Sequence, residues 1–119
     1  MKSTRYKGLT LRVLGTKGAA MGPGKAELIE RIAETGSISA AARDMGMSYR
    51  RAWQLVEALN ADFREPVVAT ATGGARGGGA RVTDFGLKAA RRFREMEGRA
   101  SSAIAAGLKS YAELLKKRS

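Results

Sequence analysis

The apolar positions of this 119-residue chain change period several times along its length. From Leu9 to Leu14 the order Leu-Thr-Leu-Arg-Val-Leu sets Leu9, Leu11 and Val13 on one face, which predicts a short half-buried strand. Gly15 to Gly24 holds four glycines and Pro23, the composition of a loop. Between Lys25 and Glu34 the period becomes helical: Leu28, Ile29 and Ile32 form the stripe, Glu27, Glu30, Arg31 and Glu34 lie outside it, and Gly36 ends the helix. Ser37 and Ser39 are both candidate N-caps for a short helix over Ala40 to Met45 that stops at Gly46. Ser48 can cap a third helix running to about Asn60, with Ala52, Leu55, Val56 and Leu59 as its core face.

After Pro66 the pattern turns to β. Val67 to Thr72 alternates, Ala80 to Thr83 is its returning partner, and five glycines with Arg76 fill the tip between them. Thr83 or Asp84 then caps a last helical region. Along it Phe93, Met96, Ala100, Ile104, Leu108, Tyr111 and Leu115 recur at spacings of three and four, a seam able to meet another helix. Gly98 and Gly107 weaken that pattern, so one helix and two remain equally open. The expected architecture is mainly α with a small β wing. It comprises a basic N-terminus over 1–8, a body over 9–97 and a C-terminal helix over 98–119.

The stretch Ser37 to Leu59 carries the most information. Two short helices that cross steeply through a tight turn need small residues at the crossing, and Ala41 and Ala42 supply them. The turn needs a residue that accepts positive φ, and Gly46 does so without steric cost. The second helix needs apolar residues facing back, and it has them. These are the spacings of a helix-turn-helix over about 37–60. The exposed side of its second helix carries Ser48, Tyr49, Arg50, Arg51, Trp53 and Gln54. Arginine can bond the O6 and N7 edge of guanine, and glutamine the N6 and N7 edge of adenine. Trp53 either touches DNA or covers the core beside Phe63. Small-residue spacing alone would equally mark a structural αα-corner; charge decides between the two.

Lys and Arg number 22 against 11 Asp and Glu, a formal net charge of +11. Such an excess favours a polyanionic partner. The glycine-rich tip lacks the Lys-Ser/Thr ending of a phosphate loop and has no helix directly after it. As a wing over 67–83, its candidate DNA contacts are Thr72, Gly73, Gly74, Arg76, Gly77 and Arg81, with Arg76 reaching phosphate or minor groove. Ser37 and Ser39, caps first, are secondary candidates for a phosphate contact. The absence of cysteine excludes disulfides and thiolate chemistry, and the absence of histidine removes the commonest general base and metal ligand. No catalytic residue, metal or cofactor is expected. No apolar run approaches the roughly 18–20 residues that span a bilayer, and the N-terminus does not read as a secretory signal. A cytoplasmic, nucleoid-associated protein with no membrane partner is the expectation.

The segments TGSISAAARDMGMSYRRAWQLVEALN and TATGGARGGGARVTDFG together resemble the DNA-binding domain of the ModE family of molybdate-responsive transcription regulators. They are more distantly similar to the winged helix-turn-helix of LysR-type regulators. The resemblance covers roughly Gly22 to Met96. It implies a recognition helix starting at Ser48, a wing tip at Gly73 to Gly79, and dimerisation through flanking helices. The seam from Phe93 to Leu115 is either intramolecular core or a dimer interface; as the interface, its dimerisation residues would be Phe93, Met96, Ile104, Leu108, Tyr111 and Leu115. The resemblance further implies a homodimer on a pseudo-palindromic operator of double-stranded DNA and a role in molybdenum uptake or use. Longer members carry a C-terminal molybdate-binding region that has no counterpart here, so molybdate binding within this chain is not expected. A charge-driven architectural protein binding DNA or RNA without sequence preference is the alternative.

Overall fold

In the computed structural model, which describes residues 8–71 and 79–117, two antiparallel hairpins flank a three-helix unit and a long fourth helix. The order is β1 (Val13–Gly15), β2 (Gly18–Met21), α1 (Pro23–Thr35), α2 (Ile38–Met45), α3 (Tyr49–Asp62), β3 (Val68–Thr70), β4 (Ala80–Val82) and α4 (Asp84–Ala112). The expected mainly helical architecture with a β wing is the one found.

Two local expectations need correction. Residues 9–14 do not form one strand: pairing starts at Val13, which is exposed. The glycine-rich segment read as a loop contains β2 and the start of α1. Its glycines mask a strand whose order comes from pairing with β1 and from burial of Ala20 and Met21. Pro23 occupies the first turn of α1, where its missing N–H costs nothing.

The core lies where α1 packs against α2 and α3 and against the first part of α4. Leu28, Ile29 and Ile32 come from α1, Val56 and Leu59 from α3, and all are essentially inaccessible. Ala41, Ala42 and Ala52 are equally buried, and their small side chains let the short helices approach closely. Each helix start and stop has a local cause. The hydroxyl of Ser37 accepts from the Ala40 N–H at 3.0 Å, and that of Ser48 from the Arg51 N–H at 3.0 Å. Of the two candidate serines, Ser37 is therefore the cap, and Ser39 lies inside α2. Gly46 ends α2 with φ +71°, and the next amide, Met47 N–H, closes back on the Ala42 carbonyl at 3.0 Å. Gly46→Ala should cost about 1–2 kcal/mol because an L side chain is strained there. A urea-melt loss below half that value would show that the turn tolerates a Cβ.

α4 is one helix of 29 residues, not two, and it passes through positions 97 and 98 without a break. Its fully buried residues are Gly86, Ala90 and Phe93, all in the first part of the helix. Phe93 is 1 % exposed within the single chain, which removes it from the seam expected to meet a partner. Periodicity identified an apolar face but could not say which part of it the chain itself would cover. Where α4 leaves the body, Arg94 makes a fork to Glu30 of α1 (Nε to Oε2 and Nη2 to Oε1, both 2.9 Å) and a third bond to Glu97 at 2.8 Å. The Glu30 bond is the main cause that raises the Arg94 pKa; Glu97 adds to it and partial burial opposes it.

Candidate nucleic-acid interface

Helical geometry sorts the residues of α3 into sides. Ala52, Val56 and Leu59 face the core, so the opposite side is taken by Arg50, Gln54 and Glu57, all exposed. Arg51 lies on one shoulder of that face and Tyr49, 56 % exposed, on the other. Ser48 is exposed at the helix start, although its hydroxyl is occupied as the cap. Trp53, left open between core and ligand, is half-buried and packs against the core cluster. The arrangement puts one bidentate cation and one carboxamide a turn apart on a ridge free of apolar bulk. Such a ridge can enter a groove about 12 Å wide and hydrogen-bond base edges.

Glu57 is a feature the sequence reading missed. It extends the same exposed face one turn beyond Gln54, and a carboxylate there can accept from cytosine N4 or repel a phosphate that comes too near. Its signal was available: it lies three residues beyond Gln54 and seven beyond Arg50, both helical same-face spacings.

The wing stands in a fixed relation to this face. β3 and β4 pair antiparallel with Val68 opposite Val82 and Thr70 opposite Ala80. The Ala80 N–H donates to the Gly36 carbonyl at 3.0 Å, which latches the returning strand to the turn just before α2. Exposed Arg81 thus projects from a strand held beside the start of the helix-turn-helix. At that start Ser37 and Ser39 share a hydroxyl–hydroxyl contact of 3.1 Å, and Ser39 is exposed. Thr72, Gly73, Gly74, Arg76 and Gly77, the expected wing tip, fall outside the described residues.

A second tie joins the wing to α3. The Asn60 carboxamide oxygen accepts from Val67 N–H at 2.7 Å and Val68 N–H at 3.1 Å, while its nitrogen donates to the Val68 carbonyl at 3.0 Å. Sequence reading used Asn60 only to mark a helix end; nothing local signals a clamp eight residues downstream.

The remaining seam residues differ in exposure. Met96 is 47 % exposed, Tyr111 and Leu115 are more so, and Ile104 and Leu108 are half-buried. Ile104 shares a recess with Leu9 and Leu11, and Leu108 lies against Gly8, so the N-terminal segment covers part of this face. Among the described residues no cluster of acidic side chains could hold a metal ion, and no helix is long and apolar enough to cross a membrane.

Residues 24–87 match the model of the bacterial regulatory helix-turn-helix proteins, lysR family. The chain belongs to that family. As a lysR-family chain it carries a DNA-binding helix-turn-helix of a bacterial transcription regulator. Its fold is similar to that in the "Crystal structure of CbnR_DBD-DNA complex", with a TM-score of 0.55 at 26 % identity, over 71 % of this chain and 94 % of that one. It is 50 % identical over 76 residues to the molybdenum-pterin-binding protein MopB of Rhodobacter capsulatus, a match over 64 % of this chain and 28 % of MopB. It is 42 % identical over 66 residues to the DNA-binding transcriptional dual regulator ModE of Escherichia coli K12, over 56 % of this chain and 25 % of ModE. The lysR-family chain described here thus spans under a third of the length of these curated relatives.

Proposed function

We propose that this chain binds a pseudo-palindromic DNA operator as a homodimer, reading bases with α3, and regulates genes of molybdenum uptake or use. The observation that carries the reading is the outward face of α3. Arg50 and Gln54 stand exposed on a helix whose other side is locked into the core, with Arg51, Tyr49 and Ser48 around them. Exposed Arg81 on the wing supplies a backbone contact that fixes register. Ser37 and Ser39 lie at the start of α2, where a phosphate would meet a helix N-terminus of the helix-turn-helix.

Association uses the distal part of α4. Met96 and Tyr111 on α4, with Leu114 and Leu115 just beyond its end, leave apolar side chains exposed at this end of the molecule. Two copies joined there would present their α3 helices to successive major grooves, roughly 34–36 Å apart. The molybdenum link rests on the similarity to the molybdenum-pterin-binding protein MopB and to ModE. Such a regulator acts in the cytoplasm, on the nucleoid.

Selection of sites from a random duplex library, followed by salt-series gel shifts, tests the reading. Arg50→Ala should lower affinity for the selected site by roughly ten- to a hundredfold while changing random-duplex binding little. Arg81→Ala should weaken both alike and flatten the salt slope by roughly one. Equal loss on selected and random DNA for Arg50→Ala removes its base-reading role. A library that returns no motif supports the charge-driven architectural alternative.

A further inference from the structure

We infer that the recess between the β1–β2 hairpin, the start of α1 and the Arg51 shoulder of α3 seats a phosphate of the DNA backbone. Arg12 and Lys25 are then DNA contacts outside the helix-turn-helix and outside the wing. The inference deepens the DNA-binding reading and rests on it.

Three cations far apart in sequence, Arg12, Lys25 and Arg51, line this one recess of about 340 Å³, and no carboxylate among the described residues lines it with them. Gathering three like charges is unfavourable without a counter-charge. The acidic residues of α1 do not provide it: Glu27 and Glu34 lie beside Arg31, and Glu30 binds Arg94. Arg12 and Arg51 make no ion pair among the described residues. Lys25 donates one Nζ proton to the Ala19 carbonyl at 2.7 Å, which leaves two donors.

The backbone adds to the same field. The stem of Arg12 lies over Gly22, the N-cap of α1, with its Cγ 3.5 Å from where a Cβ would stand. That cap has no side-chain hydrogen bond, and the first turn of this 13-residue helix has no acidic residue. Its free amides therefore add partial positive charge to the three side chains rather than being neutralised by a neighbour.

Position then selects the ligand. Met47, in the turn just before α3, and Leu55, one turn beyond Arg51, also line the recess, so it is continuous with the shoulder of the recognition face. A helix seated in the major groove is flanked by sugar-phosphate ridges, and the shoulder at Arg51 meets one of them. A phosphodiester on that ridge, a monoanion with two non-bridging acceptor oxygens, fits a recess whose every charged group is a donor.

The test is a scan of the selected duplex with single neutral methylphosphonate linkages, read by gel shift. For the wild-type chain, one linkage per half-site should lower affinity by roughly five- to tenfold through this recess. Arg12→Gln and Lys25→Gln should each bind the unmodified duplex more weakly, keep the same base preference, and lose sensitivity at that one linkage. Arg12→Lys, which keeps the charge, should retain it. A shallower salt slope, by roughly one per lost phosphate contact, should accompany the Gln variants. Wild-type affinity and an unchanged scan in both Gln variants overturn the inference while leaving the DNA-binding reading intact. Inorganic phosphate that binds the chain but leaves duplex sensitivity unchanged also overturns it, as does an acidic peptide that does so. A wild-type chain that binds no duplex overturns both readings.

Discussion

Asn60→Ala should destabilise the folded chain by about 3 kcal/mol, because it strands buried main-chain groups rather than merely deleting a side chain. Val67 and Val68 are buried, at 0 % and 2 % exposure, and Asn60 is the acceptor for both of their amides. The 3.1 Å bond to Val68 and the 3.0 Å return bond to its carbonyl make the carboxamide stand in for a strand edge. Alanine leaves these groups without a partner in a place water reaches poorly, at about 1–3 kcal/mol for each unpaired group. Asn60→Asp keeps the accepting oxygen and loses only the donor, so its loss should be smaller. Urea melts of the three chains read this directly. A loss under 1 kcal/mol for alanine would mean that the Val67 amide finds another acceptor. Duplex affinity should fall with stability, since the same bonds hold the wing against α3.

Alanine placed at three glycines of α4 should act with opposite signs. At Gly86 a Cβ would collide with the Val67 carbonyl oxygen and press on the methyls of Val67 and Val82. That carbonyl cannot yield easily, because the Thr83 N–H donates to it at 3.0 Å and the Thr83 hydroxyl at 3.2 Å. Gly86→Ala should therefore cost about 3 kcal/mol, at the upper end of ordinary overpacking. At Gly98 and Gly107 a Cβ would meet nothing within 4 Å. There the same change should stabilise by up to about 1 kcal/mol, through helix propensity alone. Thermal or urea melts of the three variants would decide it. Destabilisation at all three sites, or at none, would contradict the packing described.

Why some of this was legible in the sequence and some was not follows from the range of each interaction. The turn at Gly46 and the cap at Ser48 are set within five residues, so the helix-turn-helix and the start of α3 could be placed from spacing alone. The outward face of α3 followed from its periodicity, apart from Glu57. β2 escaped because its glycine and alanine composition carries no β signal, and its order comes from β1 and the core. Phe93 shows a related limit: a stripe at helical spacing says that something packs there, not what, and the chain itself covers Phe93. Gly86, Asn60 and the grouping of Arg12 with Lys25 and Arg51 depend on contacts between distant segments, for which one sequence offers no pattern.

Of the 29 residues of α4, the last buried one is Phe93, and two of the residues beyond it are glycines with open space around them. Each gives up about 1 kcal/mol of intrinsic helix stability relative to alanine, with no packing to offset it. The outer half of the rod is therefore less self-sufficient than the inner half, its winding helped by whatever lies alongside. Any companion that covers Tyr111, Leu114 and Leu115 would gain contact and complete the folding of its own docking element in the same step, so that assembly and order in this arm rise together.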